Sequence, residues 1–222
     1  MKKKRYYTNI VVEQKQEILR FNTFEDYEAQ RKRDKKKDKK AAKKGHKGEK
    51  KTSRILSKLK KEGYTIFDDV LIKSNGRTSQ IDHIAVSKYG IFVVETKNYT
   101  GLIKDDCLAT KWTYNPSGVL GKNIAFYSPY RQNETHIESL SKVIGLEEES
   151  FRSVVCFSDK AILADRFAMN EKHILCRHHT LLRFINSYQE IVLTDEEVAK
   201  YCRIIKDSNI KGKKARQEHA EY

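Results

Sequence analysis

The sequence predicts an α/β domain: a mixed β-sheet flanked by helices. Three observations predict it. A hairpin with two apolar arms spans Ser79–Tyr99, further short apolar runs lie before and after it, and the segments between them carry helical spacing. A basic N-terminal extension, helical or flexible, precedes this domain.

The hairpin reads SQIDHIAVS, a KYG turn, then IFVVETKNY. Its arms are rich in Ile, Val and Phe, as buried strands are, and Gly90 supplies backbone freedom at the turn. Asp82, Glu95 and Lys97 interrupt the apolar arms, and buried charges are costly unless compensated. If Val86 faces Ile91, then Ile84 faces Val93 and Asp82 faces Glu95, with opposed residues roughly 5 Å apart. Glu95 and Lys97 are two apart in one strand and share a face. Two carboxylates and an ammonium then converge, which suits a divalent cation and metal-assisted phosphodiester hydrolysis. A plain Asp82–Lys97 ion pair with Glu95 in solvent is the alternative these three residues leave open.

The chain has 222 residues and a net charge of +15, room for one domain plus extensions. Residues 31–51 hold thirteen Lys/Arg against three Asp/Glu, ten of the fifteen net charges; residues 1–30 carry one more and residues 52–222 the other four. Such a tract attracts polyanions without sequence preference, and it also reads as a solvated helix or linker. Cys107, Cys156, Cys176 and Cys202 form no CxxC pair and read as reduced thiols of a cytoplasmic protein. No apolar run approaches the roughly 20 residues of a membrane span, and no apolar stretch follows the basic start as in a secretory signal.

In chain order, Tyr6–Val12 reads as a short strand and residues 14–30 as a helix, a candidate surface for a protein partner. Gly48-Glu49 open an amphipathic helix with Ile55, Leu56 and Leu59 on its buried stripe, ended by Gly63. Glu49 can point along the buried side, although an acid at a helix N-terminus is also favoured by the dipole. Tyr64–Ile72 is a strand, followed by an Asn75-Gly76 turn. After the hairpin come an extended segment at Gly101–Ile103 and a strand around Trp112 and Tyr114. A loop with Pro116 then leads to a helix from Ser128, which carries Gln132 and His136 one turn apart. Ser153–Ser158 and His173–Cys176 read as strands, and residues 179–188 and 194–205 as helices. Thr194 and Glu197 make a capping box. The polar end of the chain reads as frayed. The expected division is an extension at 1–44, the domain at 45–210 and a polar tail at 211–222. Cys176, His178 and His179 match no common zinc spacing.

The run GEKKTSRIL…GYTIFDDV…TSQIDHIAVSKYGIFVVETKNYTGLI…KWTY…SPYRQNETHIESL…VVCFS resembles the NERD family, the nuclease-related domain. That family is similar in turn to the PD-(D/E)XK nucleases with their restriction-endonuclease-like core. The resemblance implies a metal-dependent nuclease, acting on DNA more readily than RNA in DNA processing or defence, with Mg²⁺ or Mn²⁺ as cofactor. It further implies products with 5′-phosphate and 3′-hydroxyl ends. By position, Asp82 and Glu95 match the acidic metal ligands and Glu49 the first-helix glutamate that completes the site. Lys97 matches the lysine that orients or activates the attacking water, or stabilises developing charge, and Gln132 a helix-borne glutamine near the active site. Thr96 departs from the more apolar residue expected there, while its backbone carbonyl can still ligate. Non-catalytic nucleic-acid binding, or recruitment of a partner through the N-terminal extension, is the alternative function.

Overall fold

The hairpin forms in the register that its apolar pattern predicts. The computed structural model describes residues 24–104, 109–118, 121–163 and 173–220. The expected strand at Tyr6–Val12, most of the helix expected at 14–30 and Cys107 lie outside them. The chain divides into two units, residues 1–44 and 45–222. Helix α1 runs from Phe24 to Leu56, followed by a 3-10 helix at Ser57–Glu62. Strands β1 (Thr65–Ser74), β2 (Arg77–Ser87), β3 (Gly90–Lys97), β4 (Gly101–Lys104), β5 (Lys111–Asn115) and β6 (Ile124–Tyr127) lead to α2 (Pro129–Ile144). Then come β7 (Phe151–Phe157), β8 (Ala161–Leu163), β9 (His173–Arg177), α3 (Leu181–Ile185), α4 (Asp195–Ser208) and α5 (Lys213–Ala220).

The main sheet has the order β1-β2-β3-β7-β9. Its first three strands pair antiparallel and the rest parallel, so it is mixed. Strand β3 is covered on both faces, which is why its run of apolar residues is nearly unbroken. Ile91 and Val93 pack with Ile137, Leu140, Ile144, Tyr201 and Ile205 of α2 and α4. Phe92 and Val94 pack on the other face with Leu56, Leu59, Leu181 and Ile185. This alternation, continued to the strand end, sends Glu95 and Lys97 toward the α2 face and Thr96 toward the α1 face. A second mixed sheet, β6-β5-β4-β8, surrounds Trp112 and Ile103.

The structure differs from the sequence reading in four places. Gly48 and Glu49 open no helix: they lie inside α1, so no helix N-terminus accounts for Glu49. Ala and Lys, which favour helix, carry α1 through Gly45 and Gly48. Strands β6 and β8 join the second sheet, being too short, at four and three residues, to leave a clear alternating pattern. The helix expected at 179–188 contracts to Leu181–Ile185. The tail is not frayed: α5 docks on the sheet, with Thr78 Oγ1 bonded to His219 Nδ1 at 2.7 Å and Arg216 Nη2 donating to the Asp69 carbonyl at 2.8 Å. These partners are far off in sequence, so the tail's polarity alone reads as solvation.

Gly48 is where α1 meets the end of β3. A Cβ at this position would lie 2.6 Å from Asn98 Cβ. On an open helix Gly→Ala gains up to about 1 kcal/mol. Here Gly48→Ala is expected to destabilise by about 1–3 kcal/mol through overpacking. A melting curve checks the sign, and an unchanged or higher melting temperature would contradict the close approach.

Candidate active site

The ladders on either side of Asp82 are interrupted at that residue. The β1–β2 register pairs Asp68 with His83 and Val70 with Ile81, skipping Asp69 and Asp82, and Asp69 has a positive φ of 55°. The β2–β3 register runs from Ser87↔Gly90 to His83↔Val94 and stops one pair short of Asp82 and Glu95. The expected direct pairing of these two therefore lies just past the regular ladder. In its place the Thr96 backbone N–H donates to Asp82 Oδ2 at 2.8 Å, which turns the carboxylate toward the strand end.

Glu95 is 2% exposed. Its Oε1 accepts a hydrogen bond from Lys97 Nζ at 2.6 Å, and Lys97 Nζ also donates to Gln132 Oε1 at 2.8 Å. Gln132 reaches the lysine because α2 begins at Pro129, placing its first turn beside the end of β3. The second Glu95 oxygen lies 3.4 Å from His136 Nε2, and His136 Nδ1 bonds Ser79 Oγ at 2.7 Å. His136 is a site residue that sequence reasoning noted but did not assign. The available signal was its spacing, four residues after Gln132 on one helical face.

The charges respond to this packing. Burial, then the charge of Glu95, push the Asp82 carboxyl well above its ordinary range, against the opposing Thr96 amide and Lys97. Burial acts on Glu95 in the same direction, but Lys97 and His136 outweigh it and hold Glu95 below its ordinary value. Burial disfavours the Lys97 ammonium, yet Glu95 and Asp82 more than compensate and raise its pKa. Lys97 is thus a fixed cation.

Glu49 shares a cavity with Asp82. It contributes to the rise of the Asp82 pKa, and both line a small cavity of about 130 Å³ with Asp68, Asp69 and His83. Its own Oε2 lies 3.4 Å from His46 Nδ1 one turn back along α1. His83 is committed to Asp68, Nδ1 to Oδ1 at 2.7 Å. Cys176, His178 and His179 do not converge: Cys176 is buried in β9, His178 contacts Thr52, and His179 contacts Asp159.

The donor set is hard and oxygen-based. Asp82 and Glu95 supply carboxylates, and the buried Glu95 Oε2 has His136 Nε2 beside it at 3.4 Å without a regular hydrogen bond between them. Among the described residues no three His, Cys, Asp or Glu side chains form a metal-holding group. The two carboxylates are oxygen donors of the kind that Mg²⁺ takes, one or two at a time, while keeping several waters.

Residues 44–158, which contain Glu49, Asp82, Glu95, Lys97 and Gln132, match the nuclease-related domain, NERD. An uncharacterized protein of Bacillus anthracis is 35% identical over 177 residues, 79% of this chain and 81% of that protein. A crystal structure of a protein of unknown function matches 80% of this chain and 95% of its own at 14% identity, with a TM-score of 0.33. Among the described residues no helix is long and apolar enough to cross a membrane. The mixed sheets flanked by helices are consistent with a nuclease-like core, and the chain belongs to the nuclease-related domain family.

Proposed function

We propose that this protein hydrolyses phosphodiester bonds of nucleic acid, with DNA rather than RNA as its substrate and Mg²⁺ or Mn²⁺ as its cofactor. The observation that carries this reading is the convergence of buried Glu95 with half-buried Lys97 and Gln132, beside Asp82, where the ends of β2 and β3 meet the first turn of α2. Asp82 and Glu95 are the residues that would hold the cation, with the Thr96 carbonyl and Glu49 as further candidate donors. When bound, the ion polarises the scissile phosphate and lowers the pKa of a nucleophilic water. Lys97, kept as an ammonium by Glu95 and fixed in direction by Gln132, donates hydrogen bonds to the attacking water or the developing phosphorane charge. His136 and Ser79 set the rotation of the Glu95 carboxylate, so that preorganised charge meets the transition state.

The basic stretch at 31–51 supplies sequence-independent attraction to the polyanion, and residues 1–30 are a candidate partner-binding segment. Reduced cysteines favour a cytoplasmic setting. The same basic stretch favours a second reading, a nucleic-acid-binding module without turnover.

Incubation of the protein with supercoiled plasmid and labelled single strands in Mg²⁺, Mn²⁺ or EDTA separates the two readings. Cutting is expected in both metals and none in EDTA. Retention of DNA in a gel shift with no cutting in any metal would support the binding module instead.

A further inference from the structure

Thr96 faces away from the catalytic cluster. At 8% exposure its hydroxyl needs a partner, because a buried hydroxyl without one is costly. It donates to Thr52 Oγ1 of α1 at 3.1 Å. Thr52 is fully buried and also contacts the Gly48 carbonyl at 3.3 Å and His178 Nε2 at 3.1 Å. Burial and the nearby Lys51 lower the His178 pKa, so the ring is neutral. A neutral ring protonated on Nε2 satisfies every Thr52 site: Thr52 donates to Gly48 and accepts from Thr96 and His178. His178 is itself anchored by its backbone N–H on the Phe157 carbonyl at 3.1 Å.

The relay therefore runs from the loop after β9 through α1 to the peptide whose N–H holds Asp82. It also ties α1, and with it Glu49, to β3 three residues along the helix from Thr52. An apolar residue at 96 would pack on this face but would not lock the peptide to α1.

We propose that the hydroxyls of Thr52 and Thr96, backed by His178, are positioning groups that set the geometry of Asp82 and thereby the affinity for the divalent cation. This rests on the metal-dependent reading above. Neither threonine side chain touches substrate; both act through the Thr96 peptide, as outer-shell partners of metal ligands do.

The test separates the hydroxyl from the methyl group. Metal-free parent, Thr52→Val, Thr96→Val, Thr52→Ser, Thr96→Ser and Asp82→Asn chains are titrated calorimetrically with MnCl₂ in the absence of DNA. Exchange of the Thr96 amide is followed by NMR. The Val variants are expected to bind Mn²⁺ about 10–100-fold more weakly and to exchange that amide faster, whereas the Ser variants match the parent. The double Val variant should be no weaker than the worse single one, because the residues act as one unit. Parent-like Mn²⁺ binding by the Val variants, with Asp82→Asn not binding, would overturn the relay and leave the metal reading intact. Ser variants as weak as Val would also overturn it, since packing of the methyl would then be what matters. If the parent itself binds no Mn²⁺, the metal reading fails, and unchanged Thr96 amide exchange in the Val variants overturns the relay independently.

Discussion

Asp82→Asn is expected to abolish cleavage, by about a thousand-fold or more, while melting at a higher temperature than the parent without metal. The two effects share a cause. Burial and the charge of Glu95 both oppose ionisation of Asp82 in the folded protein. Asparagine removes that repulsion and keeps an oxygen to accept the Thr96 N–H. A gain of about 1 kcal/mol corresponds to roughly 2–4 °C for a chain of this size. The sign with pH follows from linkage. A carboxyl with a raised folded pKa contributes its full stability below its ordinary value of 3.8 and loses it as pH rises through the folded pKa. The gap between variant and parent melting temperatures should therefore widen as pH rises above 3.8. Added Mg²⁺ should close the gap by stabilising only the parent, since a ligand stabilises the state that binds it. Calorimetry over a pH series, with plasmid cleavage alongside, checks this. An Asp82→Asn chain that cuts at the parent rate, or melts lower than the parent at neutral pH without metal, contradicts the site as described.

Removal of the lysine should act in the opposite direction on stability. Lys97→Met leaves Glu95 almost fully buried, with His136 as its nearest remaining partner. Breaking a buried pair in this way costs about 3–5 kcal/mol, on the order of 10 °C in melting temperature for this size. Cleavage is lost as well. The double change Glu95→Gln with Lys97→Met should recover most of the stability, because replacing both charged partners is often neutral, but none of the cleavage. Recovery of fold without recovery of turnover would separate the catalytic role of the pair from its structural one. Parent-like melting of Lys97→Met would mean that the pair is not buried as the structure has it, and cutting by the double variant would remove Glu95 and Lys97 from the mechanism.

Glu49 and Thr96 illustrate how far the sequence could be read. The spacing Asp82…Glu95-x-Lys97 was legible because a strand has a fixed period of two, which assigns faces without knowledge of the fold. The apolar hairpin register was legible for the same reason, down to Ile84↔Val93 and Val86↔Ile91. Resemblance and helical spacing put Glu49 beside the site; that it shares a cavity with Asp82 while its Oε2 lies near His46 depends on packing in three dimensions. His136 carried only a weak signal, since a histidine four residues from a glutamine has many bland explanations. The docked tail and the second sheet carried less, because their partners are distant in sequence and their segments are short.

The α/β class, the strands at the hairpin, the basic stretch and which charged residues share a strand face were all legible without the fold. These follow from local periodicity and composition, which need no partner. Tertiary structure alone decided that the ladder opens at Asp82, that His136 meets Glu95, and that Thr96 finds Thr52 on the opposite face. A buried polar group must find its partner wherever the fold brings one near, and residues 44 positions apart are joined only by the packing of α1 on the sheet.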